Sequence, residues 1–414
     1  MSTRQDSRVV KETQTTPSTR EKESLLNQPK AVWAVFFASI IAFMGLGLVD
    51  PILTLIAEDL NASQSQVTLL FTSYNAVMAV AAIITGAISS RLGAKWTLIC
   101  GIVIIALFSA LGGLSNNIWA IVGWRAVWGL GNALFVATAL VAIISLSKGG
   151  NAKAIILYEA AIGLGISVGP LLGGLLGGFS WRGPFLGVAL LMVIAFFAVL
   201  IFMPTLKDQA AVKRGTSLAE PFRAMKHRSL VVFGIGAALY NFGFFTVLAY
   251  APFVMGLDVH GLGYVFLAWG ILLAITSVFM APKLQQRMGT VRAMCLMFTL
   301  FAALLLAIGI WTNIHWVPII AVILSGAVMG NNNTLVTTAV MNAAPVERST
   351  ASAAYNFLRF IGAAVAPYMA GKLAEWFNPH VPFITAAVFV ILSGLIVGFN
   401  YHHVKHVDHA GSNH

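Results

Sequence analysis

Charged residues are scarce in this sequence. They make up 9% of the 414 residues, against roughly 25% in an ordinary soluble protein. Hydrophobic residues make up 58%, and the mean hydropathy is +0.86. Such a composition excludes an ordinary soluble fold and places the chain in a lipid bilayer. The short alternating segments from which a membrane barrel is built are also lacking, so we expect membrane-spanning helices.

Cysteine and nucleotide-binding signals are almost absent as well. The only two cysteines, Cys100 and Cys295, fall in apolar segments, which excludes a disulfide framework and gives no sign of redox chemistry. No GxxxxGK[ST] sequence occurs, so we do not expect ATP to drive the protein. Residues 1–29 are polar and lack the apolar core of a signal peptide, which predicts a disordered tail.

Long apolar segments account for most of the chain. A helix needs about 20 apolar residues to cross the roughly 30 Å hydrocarbon core of a bilayer. The sequence therefore predicts an all-α integral membrane protein with twelve transmembrane helices. The predicted segments are residues 32–57, 65–89, 96–114, 117–146, 152–177, 184–204, 230–255, 262–282, 293–311, 316–342, 351–372 and 381–401.

Basic residues outnumber acidic ones by 25 to 14, which gives a formal net charge of +11. In a soluble protein this charge would suggest nucleic acid as a partner. Here lysine and arginine concentrate in the N-terminal tail and in the loops after even-numbered segments, so we expect contacts with lipid headgroups and no nucleic acid. By the positive-inside rule both termini are predicted to be cytoplasmic. The opposite loops carry only Arg182 and Lys372 beside Glu58, Asp59, Asp258 and Glu375.

The second half of the chain repeats the first with an offset of about 197 residues. A duplicated six-helix unit explains the repeat and predicts two related bundles. The matching positions are Tyr158 and Tyr355, Gly165 and Gly362, Pro170 and Pro367, Pro184-Phe185 and Pro382-Phe383, and Arg91-Leu92-Gly93 and Arg287-Met288-Gly289. The predicted domains are a disordered cytoplasmic tail (1–30), an N-terminal six-helix bundle (31–204), a polar cytoplasmic linker (205–229), a C-terminal six-helix bundle (230–401) and a histidine-containing cytoplasmic tail (402–414).

The fifth segment combines small residues with a proline. Gly165, Gly169 and Gly173, with Gly174 beside them, let another membrane helix approach closely, and Pro170 removes one backbone donor and builds in a bend. We expect this helix to pack, through Gly169, on a helix of the opposite bundle and to flex as the bundles rock.

Three motifs carry a resemblance to a known family. Residues 165–174 match GxxxGPxxGG, residues 86–95 resemble the loop motif GxLaDrxGrk through Gly86, Arg91, Gly93 and Lys95, and residues 124–131 resemble a fourth-helix motif centred on Arg125. The chain thus resembles the twelve-helix drug:proton antiporters of the major facilitator superfamily over residues 31–401. Ser90 stands where that loop motif has its aspartate.

The resemblance implies a secondary transporter and not an enzyme. It implies alternating access between two pseudo-symmetric six-helix bundles in the plasma (inner) membrane, with small-molecule substrates and protons as partners. The proton gradient then takes the place of any cofactor, and no metal is expected. We expect a monomer. The motifs of the fifth helix and of the loop, Gly86, Arg91, Gly93, Lys95, Gly165, Gly169, Pro170, Gly173 and Gly174, are predicted to serve the conformational change.

Four ionisable residues fall inside predicted helices, where charge is costly without a partner or a wet cavity. Asp50 and Arg125 lie at similar depth below the outer face, so they can form a pair that loads and releases a proton, or a fixed structural pair; alternatively, Asp50 merely precedes Pro51 at a helix kink. Glu159 and Arg359 lie at matching depth near the inner face. Glu159 is predicted to bind a proton or a cationic group and Arg359 an anionic one, or both extend their side chains to the interface.

Neutral polar residues inside the helices are weaker candidates. They either hydrogen-bond a substrate or simply bond between helices. The chosen substrate-binding residues are Tyr74, Asn75, Asn132, Tyr240, Asn241 and Asn332. The histidines at 402, 403, 406 and 409 are read as solvated tail residues, and the GxSxG match at 165–169 lacks the partners of a hydrolase.

The sequence predicts proton-coupled efflux of small amphipathic compounds. Two transport alternatives stay open: export of a specific metabolite or metal chelator, and proton-coupled uptake of a sugar or organic anion. A membrane-embedded hydrolase is the alternative from another class, and the sequence lacks the residues it would need.

Overall fold

The computed structural model describes residues 27–148, 151–204, 220–341, 343, 346, 348–405 and 407–408. The predicted tail up to residue 26, linker residues 205–219, and residues 406 and 409–414 of the C-terminal tail lie outside these ranges. Within them the chain is helical, without strands.

Twelve long helices, α1 to α12, run through the described part of the chain. Short helices extend or connect them at Leu53–Asp59, Glu220–Ala224, Pro252–Met255, Ala281–Met288 and Tyr401–Val404. The long helices are α1 (Lys30–Gly47), α2 (Gln64–Leu92), α3 (Ala94–Leu114), α4 (Ile118–Leu146), α5 (Asn151–Gly177), α6 (Arg182–Phe202), α7 (Arg228–Tyr250), α8 (Val259–Ile275), α9 (Thr290–Ile310), α10 (Trp316–Met341), α11 (Arg348–Trp376) and α12 (Val381–Phe399).

Eleven of these helices are long and apolar enough to cross a membrane by length and composition, in the residues that the structure describes. The exception is α11, which carries Arg359 near its middle and Lys372 and Glu375 near its end. Its charged and polar residues lower its hydropathy, yet it packs as the eleventh member of the fold.

The first predicted segment, 32–57, is not one continuous helix. The α-helix ends at Gly47, a 3₁₀ turn follows at Asp50–Ile52, and a short helix runs over Leu53–Asp59. The physical cause is Pro51, which has no backbone N–H to donate and restricts the residue before it. The break therefore falls at Asp50.

The two halves use the same packing scheme. In the first half α1 packs on α5 and α6, α2 packs on α4, and α3 packs on α4 and α6. The equivalent helices of the second half, six places later, pack in the same way: α7 on α11 and α12, α8 on α10, and α9 on α10 and α12. Gly93 and Gly289 adopt matching positive φ angles of 79° and 83° at the starts of α3 and α9. The fold is therefore an all-α membrane fold of two pseudo-symmetric six-helix bundles.

Two helix pairs join the bundles, α2 with α11 and α5 with α8. We call the end that holds the α1–α2 connection the upper end. At this end the Ser65 N–H donates to Glu375 Oε1 at 2.9 Å, and the Tyr368 N–H donates to Thr72 Oγ1 at 3.3 Å. Both hydrogen bonds cross between the bundles, and the side chains of Ser63 and Ser65 also interact with Glu375, so the molecule is closed at its upper end.

Glu375 is the charged member of this closure, and it lies beyond the predicted span 351–372. Its Oε2 accepts from Lys372 Nζ at 2.8 Å, while its Oε1 accepts from the first turn of α2. Partial burial opposes ionisation of the carboxyl, but the hydrogen bonds from Lys372 and Ser65 outweigh it and lower the pKa of Glu375 to about 2. The carboxylate is thus a stable anion at the N-terminus of α2, where the helix dipole favours negative charge.

Candidate functional site

Three glycines of α5 form a ridge that packs against α1. An added Cβ would lie 2.6 Å from Ile40 O at Gly165 and 2.6 Å from Met44 O at Gly169, and at Gly173 it would meet Leu48 O. Spacing of four residues keeps all three on one helix face. The ridge therefore brings α5 into contact with the backbone of α1, along the stretch that leads to Asp50.

The expectation that Gly169 packs on the opposite bundle is wrong in this structure. Gly174 has that role: an added Cβ there would lie 2.9 Å from Val259 O and 3.1 Å from Gly263 Cα, both in α8. One residue beyond Gly173 turns the chain by about 100° around a helix, which moves the contact from α1 to α8. Pro170 lies between these faces and its ring packs 3.0 Å from the Cβ position of Gly47.

The loop motif at residues 86–95 is at the lower end. Lys95 Nζ donates to the backbone oxygens of Leu200, at 3.3 Å, and Met203, so it ties the start of α3 to the end of α6. Gly93 takes up the positive φ that the sharp connection requires. Arg91 is exposed, and an added Cβ at Gly86 would meet nothing within 4 Å.

Arg125 lies at the centre of the first bundle and is only 1% exposed. Its Nη2 donates to Gly45 O at 2.8 Å. The guanidinium carbon lies 4.7 Å from the Tyr74 ring centroid and 4.2 Å from that of Trp128. Nε and Nη1 find no hydrogen-bond partner among the described residues. The cation is thus held by aromatic faces and one carbonyl.

Asp50 is fully buried near this cation. It interacts electrostatically with Arg125, which agrees with the depth predicted from the sequence. The predicted ion pair itself does not form: the salt bridges among the described residues are elsewhere, and neither carboxyl oxygen of Asp50 has a hydrogen-bond partner there. Arg125 instead donates to the carbonyl of Gly45, about one turn before Asp50.

The predicted polar residues of the first bundle divide into two kinds. Tyr74 and Asn132 meet, with the Asn132 amide donating to the Tyr74 hydroxyl, so both belong to the cluster around Arg125. Asn75 instead donates to Phe71 O in its own helix. All three are buried.

Glu159 stands apart from this cluster. Its side chain is exposed, and it has no hydrogen bond or ion pair with the residues that the structure describes. It interacts electrostatically with the neighbouring Tyr158, whose ring packs edge-on against Phe43 of α1. Glu159 and Arg359 are not brought into contact. Among the described residues the carboxylate of Glu159 is therefore unpaired.

The second bundle has its own polar cluster around Tyr240. Asn332 lies against the Tyr240 hydroxyl, and Arg359 interacts with that hydroxyl electrostatically. Arg359 Nη1 makes a long 3.5 Å contact with Asn333 Oδ1. Asn241 turns away and donates to Ala237 O in its own helix. Three of the four predicted residues thus come together.

Two tryptophans near these clusters were not among the predicted site residues. Trp128 stacks on Arg125 and fits against Gly45, where an added Cβ would lie 2.8 Å from the indole. Trp269 is 2% exposed in α8, between the rings of Phe244 and Phe266. Neither indole N–H has an acceptor among the described residues. Tryptophan in the middle of a membrane helix, away from the interface where it is usually found, was the available signal.

The repeated bundles and their internal polar clusters define a membrane transport protein. The sequence profile of the Major Facilitator Superfamily matches residues 35–367 and 255–413. The chain belongs to the major facilitator superfamily, as its motifs predicted.

Individual relatives agree with this assignment. Multidrug efflux protein YfmO of Bacillus subtilis (strain 168) is 53% identical over 382 residues, which cover 92% of this chain and 96% of that protein. The chloramphenicol resistance protein of Streptomyces lividans is 30% identical over 257 residues, 59% of this chain and 63% of that protein. A crystal structure of the nucleoside transporter NupG matches with a TM-score of 0.74 at 13% identity, covering 89% of this chain and 99% of that one, and shows the fold alone.

Proposed function

We propose that this protein exports small amphipathic, drug-like compounds across the plasma membrane in exchange for protons. The observation that carries the proposal is its 53% identity, over 92% of the chain, to a protein named for multidrug efflux. The relative from Streptomyces lividans is likewise named for drug resistance. The GxxxGPxxGG sequence of α5, which exporters of the family share, supports the outward direction.

Asp50 is our candidate for the proton site. It is 0% exposed, and neither oxygen has a hydrogen-bond donor among the described residues. A carboxylate buried in this way is costly as a charge unless a cation or a proton relieves it. Arg125 is close enough to supply the cation. A small movement of α1 against α4 would therefore replace neutralisation of Asp50 by Arg125 with neutralisation by a proton, or the reverse. Proton antiport needs such an exchange.

Glu159 is our candidate for contacts with cationic substrates and for a second role in coupling. Its carboxylate is exposed and unpaired in the described part of the structure. An unpaired carboxylate attracts a positively charged compound and does not distinguish among neutral ones.

The proposed cycle opens and closes the two ends in turn. The upper end, which is closed here through Ser65 and Glu375, would face the outside, and both termini would lie in the cytoplasm. The contact of Gly174 with α8 lies on the seam that would part as the bundles rock. Basic residues at the lower end would meet the anionic headgroups of the inner leaflet.

Reconstituted vesicles test this function. Purified protein is placed in proteoliposomes loaded with ethidium, and a pH gradient is imposed. We expect dye movement against its gradient that stops when the pH gradient is collapsed. The same fluxes with and without the pH gradient would refute proton coupling, and no dye movement in vesicles or in a drug-sensitive host would refute drug export.

A further inference from the structure

Arg359 is a cation with most of its hydrogen-bonding capacity unused. A guanidinium carries five N–H donors. In the described structure the Arg359 guanidinium makes one hydrogen-bonding contact, in which Nη1 approaches Asn333 Oδ1 at 3.5 Å. Its Nε is buried without a hydrogen-bond partner among the described residues. The ion pairs of the described residues, Asp258 with His260 and Lys372 with Glu375, do not include it. A positive charge inside a membrane fold thus has no anionic partner among the described residues.

Aromatic rings flank the Arg359 guanidinium and do not use its N–H donors in hydrogen bonds. The guanidinium carbon lies 5.2 Å from the ring centroid of Phe360 and 5.9 Å from that of Tyr355. Ring contacts of this kind engage the flat face of the guanidinium, whereas its N–H groups point outward in its plane. The edge that remains matches the two oxygens of a carboxylate, which bind such a fork through two parallel hydrogen bonds.

A buried amide lies in the same cluster. Asn332 is 0% exposed, and apart from its interaction with the Tyr240 hydroxyl neither its amide nitrogen nor its oxygen has a hydrogen-bond partner among the described residues. It shares the neighbourhood of the Tyr240 hydroxyl with Arg359. A buried amide that lacks full hydrogen bonding destabilises the protein, so a ligand oxygen that accepts from it would be favoured.

The arginine of the first bundle is not equivalent. Arg125 is 1% exposed, donates to Gly45 O at 2.8 Å and has the Asp50 carboxyl in its electrostatic range. Arg359 is half-buried and therefore within reach of a ligand. Only the second of these cations combines access with the lack of an acidic partner.

We propose that Arg359, Asn332 and Asn333 form a site for the carboxylate of aromatic substrates. The proposal rests on the proposed export function, because it names a class of compound that this transporter would accept: aromatic monocarboxylates, including zwitterions. The protein would then bind anionic groups of its substrates at Arg359 and cationic groups at Glu159.

The test measures equilibrium binding, so it does not depend on export. Full-length purified protein in detergent is titrated calorimetrically with three probes on one ring system: 1-naphthoate, 1-naphthamide and 1-naphthylmethylammonium. We expect naphthoate to bind about tenfold more tightly than naphthamide. Arg359→Gln should remove that preference by weakening naphthoate about tenfold, with naphthamide changed by less than about threefold. Arg359→Lys should fall between, since it keeps the charge and loses the fork.

A second variant leaves the arginine in place. Asn333→Asp puts a carboxylate where Asn333 Oδ1 now contacts Arg359, and the resulting internal ion pair should abolish the naphthoate preference as fully as Arg359→Gln does. The control is Arg223→Gln, an exposed arginine outside the cluster, which should bind all three probes as the parent protein does.

Different results overturn the site and the export function. Equal binding of naphthoate and naphthamide by the parent protein, or an equal loss of all three probes in Arg359→Gln and Asn333→Asp, overturns the site even when ethidium export is normal. An Arg359-dependent naphthoate preference in a protein that moves no dye in vesicles supports the site and refutes the proposed export.

Discussion

Adding one methyl group at Gly174 should open the upper end of the molecule. The Cβ of Gly174→Ala would lie 2.9 Å from Val259 O and 3.1 Å from Gly263 Cα, and both are backbone atoms of α8 in the opposite bundle. Backbone atoms cannot turn aside as a flexible side chain can. The substitution therefore destabilises the closed conformation, in which α5 and α8 are in contact at this point, and does not destabilise the open conformation.

The size of the effect follows from the contact distances. Ordinary contact begins at about 3.4 Å, so α5 and α8 must separate by about half an ångström at this point. Overpacking of this kind costs about 1–3 kcal/mol. Since 1.4 kcal/mol is a tenfold change in an equilibrium constant, we expect the open population to rise by about tenfold.

A single cysteine reports the opening. Thr68 is 0% exposed and faces Gly371 of α11, whose added Cβ would lie 3.0 Å from Thr68 Oγ1. With Cys100 and Cys295 replaced by serine, a cysteine at position 68 is labelled by a membrane-impermeant maleimide only when the upper end opens. The labelling rate then follows the open population.

Two matched glycines make the assay decisive. Gly163→Ala also faces α8, but its Cβ would lie 3.6 Å from Ala274, so labelling should not change. Gly169→Ala is as crowded as Gly174→Ala, yet it presses on Met44 of its own bundle, so it should lower the melting temperature and leave labelling within about twofold. Equal acceleration by Gly169→Ala and Gly174→Ala, or none by Gly174→Ala, would refute the assignment of two packing faces to α5.

Two further predictions concern carboxylates. Glu375→Gln should raise the labelling rate at position 68 by about two- to fivefold, because it removes the negative charge from the acceptor of the Ser65 N–H, which lies in the opposite bundle. A partly exposed charge interaction of this kind contributes at most about 1 kcal/mol. The pKa of Glu375 is lowered from 4.5 to about 2, so the stabilisation of the closed upper end by its carboxylate is complete above pH 4.5 and is lost as the pH falls toward 2. Labelling at position 68 should therefore not change between external pH values of about 6 and 8, the range of the assay, through this residue. A Glu375-dependent change in that range would contradict the prediction. Glu159→Gln should weaken export of cationic dyes severalfold more than export of neutral compounds of similar size, measured as paired efflux rates, and an equal loss of both would assign Glu159 to coupling or structure.

Much of the fold could be predicted from hydropathy alone. Each of the twelve predicted segments overlaps one long helix, although the first is broken at Asp50. Only helices and closed barrels satisfy backbone polar groups in lipid, and the sequence lacks the barrel pattern. A kink at Asp50 was among the alternatives that the sequence left open, because Pro51 follows it within an apolar run, and the 3₁₀ turn lies there. By contrast, α11 shows the limit of composition: the segment 351–372 was predicted to span the membrane, yet this helix is less apolar than the other eleven. The repeat of Gly165 and Pro170 at Gly362 and Pro367 independently supports its place in the fold.

The candidate site was less predictable. A sequence indicates how deep in the membrane a residue lies better than it indicates which neighbouring helix its side chain faces. Depth placed Asp50 near Arg125, and the two do interact electrostatically. It could not show that the guanidinium would bond Gly45 O and stack on Trp128, since those contacts depend on how α1 and α4 are rotated about their axes. Rotation also decides that Gly169 meets α1 while Gly174 meets α8.

Proton release is the most direct test of proton-coupled drug export through Asp50. Purified protein in a weakly buffered solution is mixed with ethidium, and the pH change is recorded for the parent protein and for Asp50→Asn, which removes the titratable group without changing its volume. We predict proton release by the parent protein that Asp50→Asn abolishes while ethidium still binds. Undiminished release by a folded, ethidium-binding Asp50→Asn protein would contradict the assignment of Asp50 as the coupling site.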